Sequence, residues 1–108
     1  MIFLTQEEDI DLNKSLQSLY FYASWMPFHK KILVMIGKIE EKYKANFLAI
    51  DIDNFGNLCN RFKIDSVPTI LVFQEGKELK RIEGICLTSA FKSVYADIYS
   101  KKKGNDNA

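Results

Sequence analysis

Residues 19–43 confine this chain to an α/β architecture before any other segment is read. Leu19-Tyr20-Phe21-Tyr22-Ala23 is an unbroken apolar and aromatic run, the composition of a strand covered on both faces. Pro27 follows and suits the first helical position, where the N–H it lacks would have no partner anyway. Ile32, Ile36, Ile39 and Tyr43 then recur at spacings of four, three and four. They form the buried stripe of a long amphipathic helix, with Lys30, Lys38, Glu41 and Lys42 largely off it. A doubly covered strand feeding such a helix predicts a sheet with helices packed across it.

The rest of the chain continues the alternation. Ile2–Thr5 reads as a short strand and residues 6–16 as a short acidic helix with Ile10 and Leu16 on its apolar side. Phe47–Asp53 is a second buried strand, and Phe55, Leu58, Cys59 and Phe62 share one face of a short helix. Thr69–Gln74 and Glu78–Glu83 are strands joined at Glu75-Gly76-Lys77, where Gly supplies a positive φ. Lys80 and Arg81 suit a charged sheet edge. Thr88 is an N-cap candidate for a last helix with Phe91, Val94, Tyr95 and Ile98 on its apolar face. Lys101-Lys102-Lys103 complement that helix's C-terminal dipole. The order is β-α-β-α-β-α-β-β-α: a central mixed sheet with helices on both faces.

With 108 residues, the chain supports one domain, residues 1–100, and a flexible basic and polar tail, residues 101–108. Fifteen basic and fourteen acidic side chains nearly cancel, so no bulk field favours nucleic acid or an acidic membrane surface. The basic residues are dispersed, and the aromatics sit in buried runs instead of alternating with Lys or Arg. No stretch approaches the roughly 18 apolar residues of a membrane span. Residues 1–9 lack the basic start and apolar core of a secretory signal, which points to the cytoplasm. Cys59 and Cys86 lie 27 positions apart with no Cys-x-x-Cys and no zinc spacing, and His29 is the only histidine. No metal and no cofactor is expected, and the isolated glycines form no phosphate-cradling loop.

Two landmarks carry a resemblance. Residues 23–30 read Ala-Ser-Trp-Met-Pro-Phe-His-Lys, and Asp65-Ser66-Val67-Pro68-Thr69 precedes the apolar run Ile70-Leu71-Val72-Phe73. Together with Gly84 after the last strand, they resemble the thioredoxin family over residues 2–99. That family's signature is Trp-Cys-Gly-Pro-Cys-Lys, with a later Pro-Thr opening a strand. The resemblance implies the thioredoxin fold and its strand order. Trp25 and Lys30 hold the outer positions, while Met26 and His29 stand where the sulfurs belong. The resemblance also puts Tyr20 where relatives carry a buried Asp, and Ala49 where that acid's Lys partner would stand.

In relatives the first cysteine attacks a substrate disulfide as a thiolate and the second resolves the mixed disulfide. A thioether cannot ionise or form a disulfide, and an imidazole cannot resolve one. The catalytic set is therefore empty, with Met26 and His29 as vacated positions. By resemblance the Val67–Pro68 bond is cis, and the surface of Trp25, Met26, Pro27, Val67, Pro68 and Gly84 is a groove for protein or an extended peptide. The expected role is a redox-inactive adaptor, chaperone-like or regulatory domain. Two alternatives stay open. One is an atypical thiol–disulfide oxidoreductase of redox homeostasis working through Cys86 or Cys59; the other is a structural subunit. His29 reads as a first-turn surface side chain, solvated or locally hydrogen-bonded, Cys59 as an inert small hydrophobe and Cys86 as a loop thiol, the more reactive candidate of the two.

Overall fold

The computed structural model describes residues 1–84 and 89–106. Its centre is the strand β2, Gln17–Tyr22, every residue of which is buried. β1 is Ile2–Phe3, β3 Phe47–Asp51, β4 Thr69–Gln74 and β5 Lys77–Glu83. The strands form one five-stranded sheet in the order β1-β3-β2-β4-β5. β1 and β2 run parallel to β3, while β4 is antiparallel to both β2 and β5. The helices are α1, His29–Tyr43, α2, Gly56–Arg61, and α3, Ser89–Asp106.

Alternate side chains of the central strands point to opposite faces, and each face has its own core. Tyr20, Tyr22, Ala49, Ile70 and Val72 meet Ile32, Ile36 and Ile39 of α1 and Phe91, Tyr95 and Ile98 of α3. Leu19, Phe21, Ile50, Leu71 and Phe73 meet Leu58 of α2 and the adjoining Phe62. The result is a three-layer α/β/α sandwich with a mixed sheet, and the Ile32–Ile36–Ile39 stripe faces inward as its spacing requires.

Several elements differ from expectation. The acidic helix over residues 6–16 is only a 3-10 turn, Glu7–Asp9. The carbonyls of Leu12 and Lys14 accept from the N–H groups of Gly76 and Glu75, and Asp11 Oδ1 accepts from Asn13 N–H. Backbone committed to the β4–β5 turn cannot also close a helix ladder. That turn is Glu75-Gly76 alone, both at positive φ (50° and 86°), the two-residue form that matches strand twist, and Lys77 already belongs to β5. Val72 pairs with Lys80 and Phe73 with Glu78, so Leu79 is the extra residue of a bulge on this edge strand. β3 stops at Asp51, whose carbonyl accepts from Asn54 and Phe55 N–H groups in a turn.

Pro27 does not open α1. It lies in the preceding turn, Phe28 takes a left-handed conformation (φ 66°), and the helix begins at His29. α3 runs to Asp106, past residue 100 where a tail was expected. The cap at Thr88 lies outside the described residues. Among the described residues, no helix is long and apolar enough to cross a membrane.

Candidate functional site

β2 and β3 run parallel, so their carboxyl ends emerge together, and Ile52 N–H bonds the carbonyl of Tyr22 to hold them in step. The start of α1 returns over this end of the sheet, the usual place for a binding crevice in α/β folds. Four groups meet there: the turn 24–28, His29, the Asp51–Asp53 segment, and the Val67–Pro68 junction.

Of the two surroundings expected for His29, solvent or a local hydrogen bond, the structure shows the second. Its Nδ1 lies 2.9 Å from the Tyr20 hydroxyl, and its ring stacks on Tyr22 with centroids 4.6 Å apart and planes 8° from parallel. Tyr20 and Tyr22 stack on one another at 5.4 Å, as residues two apart on one strand face do, and the edge of Phe3 closes on Tyr22 at 6.1 Å. With Nδ1 unprotonated, the Tyr20 hydroxyl donates to it. Burial lowers the pKa of His29, and the nearby Asp51 carboxylate pulls the other way without reversing it. The N-terminal end of α1 also disfavours an imidazolium at its first residue. Burial raises the Tyr20 pKa, with Tyr22 adding to it, and burial and then Asp51 raise that of Tyr22. At neutral pH the site therefore contains a neutral Tyr–His pair.

Met26 departs from its expected place as a groove wall. It is only 6% exposed, packed in the core under α1, and its N–H bonds the Ala23 carbonyl. Trp25 is the opposite case, 69% exposed, with its indole Nε1–H donating to Asp53 Oδ2 at 3.2 Å. Pro27 and Phe28 are also exposed, and Lys31 Nζ sits 5.5 Å from the Phe28 ring centroid.

The Val67–Pro68 bond is cis. Pro68 is buried, and its carbonyl accepts from Gly84 N–H at 3.0 Å. Pro68, Gly84, Ile32 and Met35 border one small crevice of about 20 Å³. Half-buried Val67 packs against the same core as Met26. Among the described residues, neither the N–H nor the carbonyl of Val67 is bonded to another backbone group. The structure thus joins Pro68 to Gly84 and packs Val67 on the core that holds Met26, while Trp25 projects beside Asp53. Asp53 and the Tyr20–His29–Tyr22 stack escaped the sequence reading. Asp51-Ile52-Asp53 at a strand's carboxyl end was the available signal for the first; the second exists only once strand and helix are packed.

Cys59 lies half-buried on α2, packed against the core of the opposite sheet face, and burial raises its thiol pKa. Cys86 lies outside the described residues. Among the described residues, no three His, Cys, Asp or Glu side chains gather to hold a metal.

The thioredoxin family model matches residues 4–97. Thioredoxin-1 of Saccharomyces cerevisiae is 37% identical over 65 residues, which is 59% of this chain and 63% of that protein. Thioredoxin-2 of the same yeast is 34% identical over 65 residues, 59% of this chain and 62% of its own length. The chain therefore spans less than two thirds of these relatives. The solution structure of oxidised thioredoxin from Plasmodium falciparum superposes with a TM-score of 0.82 at 22% identity, covering 91% of this chain and 97% of that one. A mutant thioredoxin from Halobacterium salinarum gives 0.80 at 19% identity, covering 89% and 88%. At these identities the two structures speak for the fold alone.

Proposed function

The chain belongs to the thioredoxin family, and from that premise we propose that it binds an extended polypeptide at Trp25, Val67, Pro68 and Gly84 without dithiol–disulfide chemistry. The observation that carries the proposal is the state of positions 26 and 29. One holds a buried thioether, and the other an imidazole tied to Tyr20 and stacked on Tyr22. Neither side chain can attack or resolve a disulfide. The chain's two cysteines are not a Cys-x-x-Cys pair, and Cys59 packs on the other side of the sheet with its thiolate disfavoured.

What remains suits recognition. Among the described residues no backbone group pairs with the N–H or carbonyl of Val67, which suits the main-chain mode of capturing an extended peptide. Trp25, exposed at the same end of the sheet, is a large, amphipathic anchor whose indole N–H is already satisfied by Asp53. The role is that of an adaptor or chaperone-like domain.

The test measures fluorescence anisotropy of labelled, cysteine-free extended peptides, alongside an insulin disulfide-reduction assay. Trp25→Ala is a surface change and should leave the fold intact while weakening peptide binding by about tenfold or more. Wild type should show no turnover above the reductant's background. Equal binding by the variant, or turnover that disappears in a Cys59→Ser, Cys86→Ser double variant, would overturn the proposal. The latter result favours the thiol–disulfide reading that the thioredoxin relatives bring with them.

A further inference from the structure

A groove of about 390 Å³ runs between α1 and α3, in the helical layer that covers one face of the sheet. α1 contributes two parallel rows at a spacing of four. Met35, Ile39 and Tyr43 form an apolar floor, buried or half-buried, and exposed Lys38 and Lys42 form a rim. Across from them α3 presents Ser93 and Ala96, which are too short to fill the space, and a third rim cation, Lys92. The Tyr43 and Tyr99 rings stack at 5.1 Å near one end. No acidic residue lines the groove, and among the described residues none of the three lysines is in an ion pair.

We infer that this groove is a second binding site, whose occupant is an acidic amphipathic helix of a partner protein. The charge of the rim selects the sign of the partner. The floor from Met35 to Tyr43 spans about 12 Å at the helical rise, two turns, which matches apolar side chains at i, i+3 or i+4, and i+7 of a facing helix. Both walls are helices that keep their backbone hydrogen bonds to themselves. An extended peptide would find no strand edge to pair with, whereas a helix satisfies its own backbone. Met35 adds an adaptable surface on which differing aliphatic side chains can seat. Asp and Glu flanking the apolar row would meet Lys38, Lys42 and Lys92.

The probe is a synthetic amphipathic peptide of about 15 residues, long enough to favour helix, with a Leu row flanked by Glu. A counterpart replaces every Glu by Lys. Amide NMR shifts of the labelled protein should move saturably over residues 35–43 and 92–96 with the acidic peptide and stay still with the basic one. A Lys38→Glu, Lys42→Glu, Lys92→Glu variant should lose about tenfold or more in affinity for the acidic peptide and gain binding to the basic one. Ala96→Leu, which fills the groove without altering its charge, should weaken binding as well. Trp25→Ala should bind the acidic peptide as wild type does, so this site and the Trp25 surface fail or survive separately. Shifts outside the groove, equal affinity for both peptides, or binding to anionic phospholipid vesicles without binding to the peptide would each overturn the assignment.

Discussion

At the scale of single residues, His29 shows what packing does to an imidazole on the first turn of a helix. Its ring is stacked, hydrogen-bonded and partly withdrawn from water, and its pKa is lowered chiefly by burial. The unfolded chain holds His29 at its ordinary pKa of about 6.5, so below that pH it binds more protons than the folded one. Stability contributed here is thus intact above the ordinary value and declines as pH falls through the lowered folded value. Thermal unfolding followed between pH 7.5 and 5.5 should show a loss of midpoint on acidification that is shallower in His29→Asn. Because His29 is the chain's only histidine, the difference in slope reports this side chain alone. Parallel slopes would mean that the imidazole is as free as in the unfolded chain. The pairing itself could not be read from residues nine apart in sequence. Tyr20 belongs to a run that looks uniformly buried, and only the return of α1 places Nδ1 over its hydroxyl. Nor does the sequence advertise the left-handed Phe28 that delays the start of α1 to His29, since an aromatic side chain rarely takes that conformation.

At the scale of elements, legibility follows how much each segment owes to its own side chains. α1 was readable because Ile32, Ile36 and Ile39 pay out a helical period against a single core. Residues 6–16 were not, since their backbone is claimed by the turn at Glu75-Gly76, far away in sequence. α2 is a third case, and Arg81 is the reason. Expected as an aggregation-resisting edge charge, Arg81 reaches from β5 to donate to the Phe62 carbonyl at 2.8 Å and the Lys63 carbonyl at 3.0 Å, while Glu78 holds its guanidinium. These are the orphan carbonyls just past a six-residue helix, where a cation also suits the dipole. Arg81→Ala should cost about 1 kcal/mol in chemical denaturation. It should also speed native-state hydrogen exchange at the α2 amides ahead of those in β2 and β3. Arg81→Lys should recover only part of the loss, because an ammonium cannot fork between two carbonyls and a carboxylate. Uniform acceleration across the sheet would show that Arg81 does not act locally on α2.

At the scale of the molecule, the sheet is a partition between two apolar cores. Ile36 lies wholly buried between α1 and the sheet, and Ile50 wholly buried between the sheet and α2. Among the described residues, the half-buried Ile52 and Val67 are the side chains that pack against both. Removing one methyl group from either isoleucine opens a small void that the other layer does not feel, so Ile36→Val and Ile50→Val should each cost about 1 kcal/mol. Sites that share no partner add, and the double variant should lose the sum to within a few tenths of a kcal/mol. The two layers nevertheless share β2 and β3, so unfolding should stay a single transition with an unchanged denaturant slope. Binding at Trp25 should persist in all three variants, because Trp25 belongs to neither core. Two separated transitions would show that the helical layers melt independently of one another. A strongly non-additive double variant would show instead that packing strain crosses the sheet, and Val67, which touches both cores beside the cis bond, would then be the route by which the scaffold reaches its binding surface.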